Sequence, residues 1–317
     1  MFYPGKMWEL VYKGSSKIRL DVYVHQHIDN ISRAQVQKLI KEMYIQVNNE
    51  VKKPNYLLRE GDVITGIMPE VEGEAKLAPW EHSLCIIHQD NDIIVLNKES
   101  NLVVHPGAGN MGNTLVNALL YHFPDISNVG NPLRPGIVHR LDKETSGLIV
   151  IARNQQAYLK LSEQFASRKV QKKYYALVWG TPDTLSGTIS LPIGRDKYDR
   201  KKISHNTKKP RFALTKYTLI ESSLYFSLLD IEIKTGRTHQ IRVHLASLHL
   251  PIIGDKKYGG CNWNRIKSQT LRDSIKRMNI FGLQAYYLGF FHPCNGSWID
   301  FSLPIDESFK EIMLLTK

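Results

Sequence analysis

Long apolar runs are missing from this chain. No stretch approaches the roughly 18 residues that a membrane-spanning helix needs, and the opening MFYPGKMWEL lacks the apolar core of a secretion signal. A cytoplasmic protein without a membrane partner is expected. Cysteine is scarce, with only 3 in 317 residues. Cys85, Cys261 and Cys294 stand far apart with no Cys-x-x-Cys pair, so a cysteine zinc site is excluded and three reduced thiols are expected. Also absent are a GxGxxG fingerprint, a Ser nucleophile elbow and any metal-ligand spacing, so neither a cofactor nor a metal is expected. No internal repeat or low-complexity tract is present.

Positive charge, by contrast, is abundant. Lys and Arg number 42 against 30 Asp and Glu, a net charge of +12, with a pI near 9.4. That imbalance favours a polyanionic partner, nucleic acid before an anionic membrane surface. The length suits two domains.

After a short leader over 1–16, Ser32 is a plausible helix N-cap ahead of Val36, Leu39, Ile40 and Met43 at helical spacing. Arg33, Gln37 and Lys41 recur every four residues on another face, where they could grip successive phosphates or be a solvated basic face. Ile45–Val47, the turn Asn48-Asn49 and Val51 suggest a hairpin, closed by Leu57 to Ile64. Residues 68–83 then turn acidic and carry Pro and Gly without periodicity, which marks a linker.

Beyond it, 84–87 and 93–96 read as strands around the turn 89–92. His105-Pro106-Gly107-Ala108-Gly109 is a tight turn without the Lys-Ser/Thr ending of a phosphate loop. Thr114–Tyr121 reads as a short helix. Residues 136–152, GIVHRLDKETSGLIVIA, put a polar loop before the branched apolar run Leu148–Ala152, a buried strand that would present Asp142. Arg140 and Lys143 flank that acid, and positive neighbours favour the carboxylate form that a nucleophile or base requires. Downstream, Asn154 can cap a helix reaching Val170, and Lys172–Gly180 is a strand with a basic start. The segment 195–211 concentrates Lys and Arg in an exposed loop. Two antiparallel strands follow at 213–220 and 224–233. In KTGRTHQIRVHL, Gly236 permits a turn and Thr238 can cap a helix; composition alone leaves His239, Arg242 and His244 on the helix surface. FGLQAYYLGFFHP at 281–293 completes the sheet.

Two strings, GIVHRLDKETSGLIVIA and KTGRTHQIRVHLASLHLPIIGDKKYGG, resemble the signatures of the RNA pseudouridine synthases of the large-subunit-rRNA synthase A/D family, most like the synthase D branch. RLD, SRAQVQKLI, VNNEV and REGDVI over 17–67 resemble the small RNA-binding module first known in ribosomal protein S-four, which shifts Arg33, Gln37 and Lys41 toward RNA contact. The resemblance implies an α+β fold: a catalytic domain over 84–317 with a mixed, mainly antiparallel sheet flanked by helices, plus the small α/β-hairpin module. It implies isomerisation of uridine in RNA, most readily large-subunit ribosomal RNA, without cofactor and by a monomer. Asp142 becomes the catalytic carboxylate, Arg242 its basic partner, and Tyr174 the residue stacking on the target base and taking part in proton removal, with Tyr175 the alternative. Ile241 packs on the base, Arg140 fills the space the base vacates or holds a flanking phosphate, and Arg237 positions RNA. The alternatives are an assembly factor whose catalysis is secondary and a sister synthase acting on other ribosomal or transfer RNA sites. The chain departs from the family pattern at Glu99, where Pro usually follows Asn-Lys, at Lys209-Pro210-Arg211-Phe212-Ala213, where a Gly-Lys-Pro-Ala string is general, and at Gly282 and Gln284, where Arg and His often stand.

Overall fold

The structure, a computed structural model, describes residues 7–28, 31, 33–67, 77–107, 109–199 and 202–317. The chain divides into two compact units, Met1–Lys76 and Leu77–Lys317.

In the first unit, β1 (Met7–Val11), α1 (Leu20–His27), α2 (Arg33–Lys41), β2 (Ile45–Val47) and β3 (Val63–Ile67) enclose a core of Trp8, Leu20, Val24, Val36, Ile40, Ile45 and Ile64. The sheet order is β1-β3-β2, antiparallel throughout. Three expectations change here. The supposed leader contributes β1, because Trp8 is buried on the core while Met7 to Val11 pair with Ile67 to Val63. Met43 leaves the apolar face of α2, which ends at Lys41; it stands in left-handed backbone and its side chain faces solvent, at 65% exposure. Val51 forms no strand; β2 pairs instead with β3, after Asn48 and Asn49 turn the chain through positive φ. The proposed cap Ser32 and most of the linker, 68–76, lie outside the described residues.

In the second unit, β4 (Ile86–Gln89) and β5 (Ile93–Lys98) lead to α3 (Leu115–His122) and the two-residue strands β6 (Gly130–Asn131) and β7 (Arg134–Pro135). Then come β8 (Ser146–Ala152), α4 (Gln155–Ala166), β9 (Gln171–Trp179), β10 (Ser186–Ile189), and the short pair β11 (Gly194–Arg195) and β12 (Ile203–Ser204). The chain closes with β13 (Thr215–Ser222), β14 (Phe226–Ile233), α5 (Gln240–Ser247), α6 (Gln269–Met278), β15 (Leu283–Phe291), β16 (Trp298–Ser302) and α7 (Glu307–Leu315). Nine strands form one sheet in the order β10-β13-β14-β9-β15-β8-β5-β4, with β16 also on β15. Alternation drives these strands; in β13, for example, Thr215 and Tyr217 are buried while Lys216 and Thr218 are exposed.

Every pairing in the sheet is antiparallel except that of β15 with β8, which spans only Gln284↔Ser146 and Ala285↔Gly147. β16 occupies β15 beyond that point, from Tyr287 to Phe291. Gly147 lies at φ +113°, and a Cβ there would sit 2.2 Å from the Ala285 carbonyl oxygen, so only glycine allows the two strands to meet. Gly282 and Gln284 have structural reasons too. A Cβ on Gly282 would lie 2.6 Å from the Leu177 carbonyl. The buried Gln284 amide donates to the Pro304 carbonyl and accepts from the Asp306 N–H, tying the sheet to α7.

Residues 77–83, expected as linker, pack instead with this unit: Leu77 and Trp80 lie on its core, and the Trp80 N–H donates to Asn117. The helix after Asn154 stops at Ala166 rather than Val170, because Arg168 turns through left-handed backbone. The basic segment, expected as an exposed loop, carries the short β11–β12 pair. Asp196 accepts from the N–H groups of Tyr198 and Asp199 and from the Ser204 hydroxyl, bracing the β11–β12 hairpin.

Candidate active site

The polar loop between β7 and β8 is pinned from beneath. Lys98, at the end of β5, is 2% exposed, and its ammonium donates to the carbonyls of Glu99, Leu102 and Lys143. Burial lowers its pKa to about 8, against the pull of Glu99, Glu144 and Asp142. Ser100 holds the Glu144 carbonyl. His139 is neutral: burial first, and then Lys172, push its pKa down to about 3. Its Nε2 accepts the Val150 N–H at 3.0 Å and its ring stacks on Phe165. The loop is thus locked to the middle of β8, and Asp142 is presented at its rim, as the sequence suggests.

Asp142 faces α5. Its Oδ2 lies 3.3 Å from Arg242 Nη1 and 3.9 Å from His239 Nε2. Neither Arg140 nor Lys143, its neighbours in sequence, forms an ion pair with it among the described residues. Arg242 is no surface residue; it is 5% exposed. It is held as a fork by Asp255, with Nε to Oδ2 at 2.7 Å and Nη2 to Oδ1 at 2.9 Å, while Glu144 lies 3.6 Å from Nη1. Tyr258 and Phe281 cover the guanidinium. Burial alone would disfavour its charge, but Asp255, Asp142 and Glu144 raise its pKa above the usual guanidinium value. Asp255 was invisible as a site residue, since nothing in Gly254–Gly259 announces a partner thirteen residues back. The signal in retrospect is positional. Gly254 at φ +77° and the Lys257 and Tyr258 N–H groups donating to Asp255 Oδ1 make a tight turn that aims the carboxylate at α5.

The α5 start also departs from expectation. Thr238 is not the cap; His239 holds that place in left-handed backbone, at φ 55°. The turn before it is secured by Gln240, which accepts from the Thr235 hydroxyl and the Arg237 N–H. His244 is wholly buried, between the Thr215 hydroxyl and the Leu191 carbonyl, and serves packing of α5 on β13.

A cleft of about 580 Å³ opens beside this pair, and Arg140, Asp142, Tyr174, Arg237, Ile241 and Arg242 all line it. That volume suits a nucleotide-sized ligand. Tyr174, on β9, is 8% exposed. Burial and the Asp142 charge push its hydroxyl well above the ordinary phenol range, so it is a protonated wall of the cleft. Ile241 is buried at the same wall. Arg140 is exposed at the rim, and Arg237 is half-buried with its Nε donating to the Phe212 carbonyl. Tyr175 faces away, stacked on Tyr286 outside the cleft lining.

Among the described residues, Asp90, Asp92 and His292 could share a cation. Their atoms are already committed, and none lines the cleft. Asp90 Oδ1 accepts the Asp92 and Ile93 N–H groups, and Oδ2 sits between His88 and His292. His292 Nδ1 accepts the Cys294 N–H, so its Nε2 carries the proton that Asp90 receives. The group is a brace for the β4–β5 turn.

In the first unit, Asp21 is fully buried and collects Arg19, Arg33 and Gln37. Arg33 and Gln37 thus do not stand free on the helix face; they share one carboxylate, while Lys41 is exposed. The Arg33 and Arg19 side chains remain 46% and 42% exposed, so both can still meet a phosphate.

Residues 92–247 match the RNA pseudouridylate synthase family and residues 18–64 match the S4 domain. An "uncharacterized RNA pseudouridine synthase" of Aquifex aeolicus (strain VF5) is 42% identical over 301 residues, covering 93% of this chain and 92% of that one. "Ribosomal large subunit pseudouridine synthase D" of Vibrio cholerae is 38% identical over 298 residues, covering 93% and 90%. Among solved structures, human RNA pseudouridylate synthase domain containing 1 superposes with a TM-score of 0.57 at 27% identity, covering 74% of this chain and 88% of that one. With 36–42% identity to such enzymes across nearly its whole length, a nucleotide-sized cleft and an S4 domain, this chain belongs to the RNA pseudouridine synthase family.

Proposed function

We propose that the chain converts specific uridines of large-subunit ribosomal RNA to pseudouridine, with Asp142 as the catalytic carboxylate. One observation carries this reading: Asp142 stands at the rim of a nucleotide-sized cleft, 3.3 Å from a buried arginine that a second, wholly buried carboxylate holds in place. The reaction breaks the bond between uracil N1 and ribose C1′ and joins C1′ to C5 of the same base, with no net redox change. It needs a carboxylate beside the sugar and base, a cation to fix that carboxylate, and walls that keep the detached base from water. Asp142 acts on the nucleotide and Arg242 orients it. Tyr174 and Ile241 bracket the base.

With Asp142 ionised, Tyr174 keeps its proton. Once the Asp142 charge is consumed in an adduct, one of the two causes of its raised pKa is removed, so the hydroxyl gives its own proton to water more readily, and the phenolate so formed takes the proton from C5. The uridine leaves its stack at a cost of a few kcal/mol, and exposed Arg140 takes its place or holds the adjacent phosphate. Arg237 and the 195–211 hairpin track the strand, and Arg33, Gln37 and Lys41 belong to the S4 surface that meets RNA. The enzyme works as a monomer. The large-subunit target rests on relatives that carry that name, at 36–38% identity.

The test is a deletion strain rescued by wild type or by Asp142→Asn, with pseudouridines mapped across ribosomal RNA. The variant is expected to bind RNA normally and leave the target uridines unmodified. Modification at the wild-type level would remove Asp142 from catalysis, and unchanged ribosomal RNA maps in the deletion strain would remove this substrate.

A further inference from the structure

Among the polar side chains that line the cleft and that the scheme above does not use, His239 is the one that faces the Asp142 carboxylate. It stands in left-handed backbone, a conformation that costs a residue with a side chain about 1 kcal/mol or more and that clusters where function demands it. Its two ring nitrogens have different neighbours. Nδ1 is 2.8 Å from the Tyr258 hydroxyl, and Nε2 is 3.9 Å from Asp142 Oδ2.

The tautomer follows from Tyr258. Its hydroxyl oxygen accepts the N–H of Ile203, on β12 of the basic hairpin, at 3.1 Å. A phenol has one proton; with the Ile203 N–H already on its oxygen, giving that proton to His239 Nδ1 satisfies both its acceptor and its donor role. The imidazole's own proton then sits on Nε2, directed at Asp142. Burial, the first influence on His239, together with Arg242 and Lys257 favours the neutral ring, while Asp142 and Asp255 oppose.

We propose that His239 is a positioning residue for the reaction, set by Tyr258 to present Nε2–H to the Asp142 carboxylate. The proposal rests on the assignment of Asp142 as catalytic. Arg242 and His239 approach the same oxygen, Oδ2, and no described residue hydrogen-bonds to Oδ1. Two donors on one oxygen stop the carboxylate rotating about its last bond and leave Oδ1 to the nucleotide. The 3.9 Å gap closes to a hydrogen bond when RNA fills the cleft. Tyr258 also carries the arrangement outward: Lys202, from the same hairpin, lies 5.6 Å from its ring centre. RNA bound against the hairpin therefore bears on the donor opposite Asp142.

Three variants and one spectrum test this. In full-length protein labelled with nitrogen-15 histidine, His239 is expected to show an acceptor-type Nδ1 and a protonated Nε2, and Tyr258→Phe is expected to convert it to a tautomer mixture. A protonated Nδ1 in the wild type would overturn the proposal without any variant having to fold. In single-turnover assays, Tyr258→Phe is expected to lose about tenfold in rate and His239→Leu roughly a hundredfold, the scale of a misplaced reacting group, with RNA dissociation constants unchanged within about twofold. His239→Gln, whose amide N–H reaches the place of Nε2, is expected to recover most of the loss. A wild-type rate in Tyr258→Phe, or losses that appear only in RNA affinity, would overturn the proposal. The two readings fail separately. Normal turnover in Asp142→Asn removes the catalytic assignment whatever the spectrum shows, whereas an inactive Asp142→Asn beside an unimpaired Tyr258→Phe removes only the role of His239.

Discussion

Arg242 is a cation taken out of water and kept by three carboxylates, so its position is a matter of charge balance as much as of packing. Removing one partner of such a buried pair leaves the other uncompensated. Asp255→Asn is therefore expected to lower stability by about 3–5 kcal/mol and turnover by roughly a hundredfold. Chemical denaturation and single-turnover rates measure the two, and an unaffected rate would free Arg242 from dependence on Asp255. His139 makes a different prediction. Its folded pKa, near 3, is below the unfolded 6.5. The neutral ring's contribution is complete above pH 6.5 and is lost as pH falls toward 3. Stability of the wild type should decline over that window, and His139→Gln should flatten the decline; equal slopes would refute it. Asp142 was legible in its motif, but the work of His139 beside it was not, because an acceptor for the Val150 N–H exists only once the loop folds back on β8.

At the scale of elements, local pattern and long-range pairing divide what the sequence discloses. β5, β8, β9, β13 and β14 are apolar or alternating over five residues or more, and each is found close to where the pattern put it. β1 was missed because its five residues are mostly exposed and its partner β3 lies more than fifty residues downstream. α1 was missed because its eight residues bury only Leu20, Asp21 and Val24, and one of those is an acid. The start of α5 was misread for a related reason: Thr238 has the composition of a cap, but Gln240 satisfies the turn and leaves His239 to take the strained place. The glycine in β8 gives the sharpest test. Gly147→Ala must move the Ala285 backbone, 2.2 Å from the new Cβ, and adopt φ +113°. A loss of more than about 3 kcal/mol is expected, read by thermal or denaturant unfolding; a loss under about 1 kcal/mol would show that the strands can part without consequence.

At the scale of the whole molecule, the net charge of +12 predicts steep salt dependence of RNA binding. Substituting Lys202, Lys208 and Lys209 together should reduce the slope of log affinity against log salt by about two to three, while an unchanged slope would place those lysines off the RNA. In the S4 unit, burial opposes the Asp21 charge, but Arg19, Gln37 and Arg33 more than offset it and lower its pKa to about 2, from 3.8. Its stabilisation, about 2 kcal/mol, is present above pH 4 and lost as pH falls through 2. Asp21→Asn should remove that acid transition as followed by Trp8 fluorescence. Basic composition pointed to RNA before any residue was placed; it could not show that Arg33 and Gln37 are already engaged with one acid.

The two-rung ladder between β15 and β8 sets a mechanical tolerance for the enzyme. Asp142 is carried by the β4-β5-β8 side of the sheet, and Tyr174 and Arg242 by the side that contains β9 and β14. The spacing between carboxylate and guanidinium therefore depends on that joint as well as on the loop and turn that hold the two groups. Productive sites hold their groups to within about 0.5 Å, and within the sheet the joint that keeps this one there is the pairing of Ser146 and Gly147 with Gln284 and Ala285. A substitution far from the cleft that loosens those four residues would leave every side chain of the cleft intact and still put the instrument out of alignment.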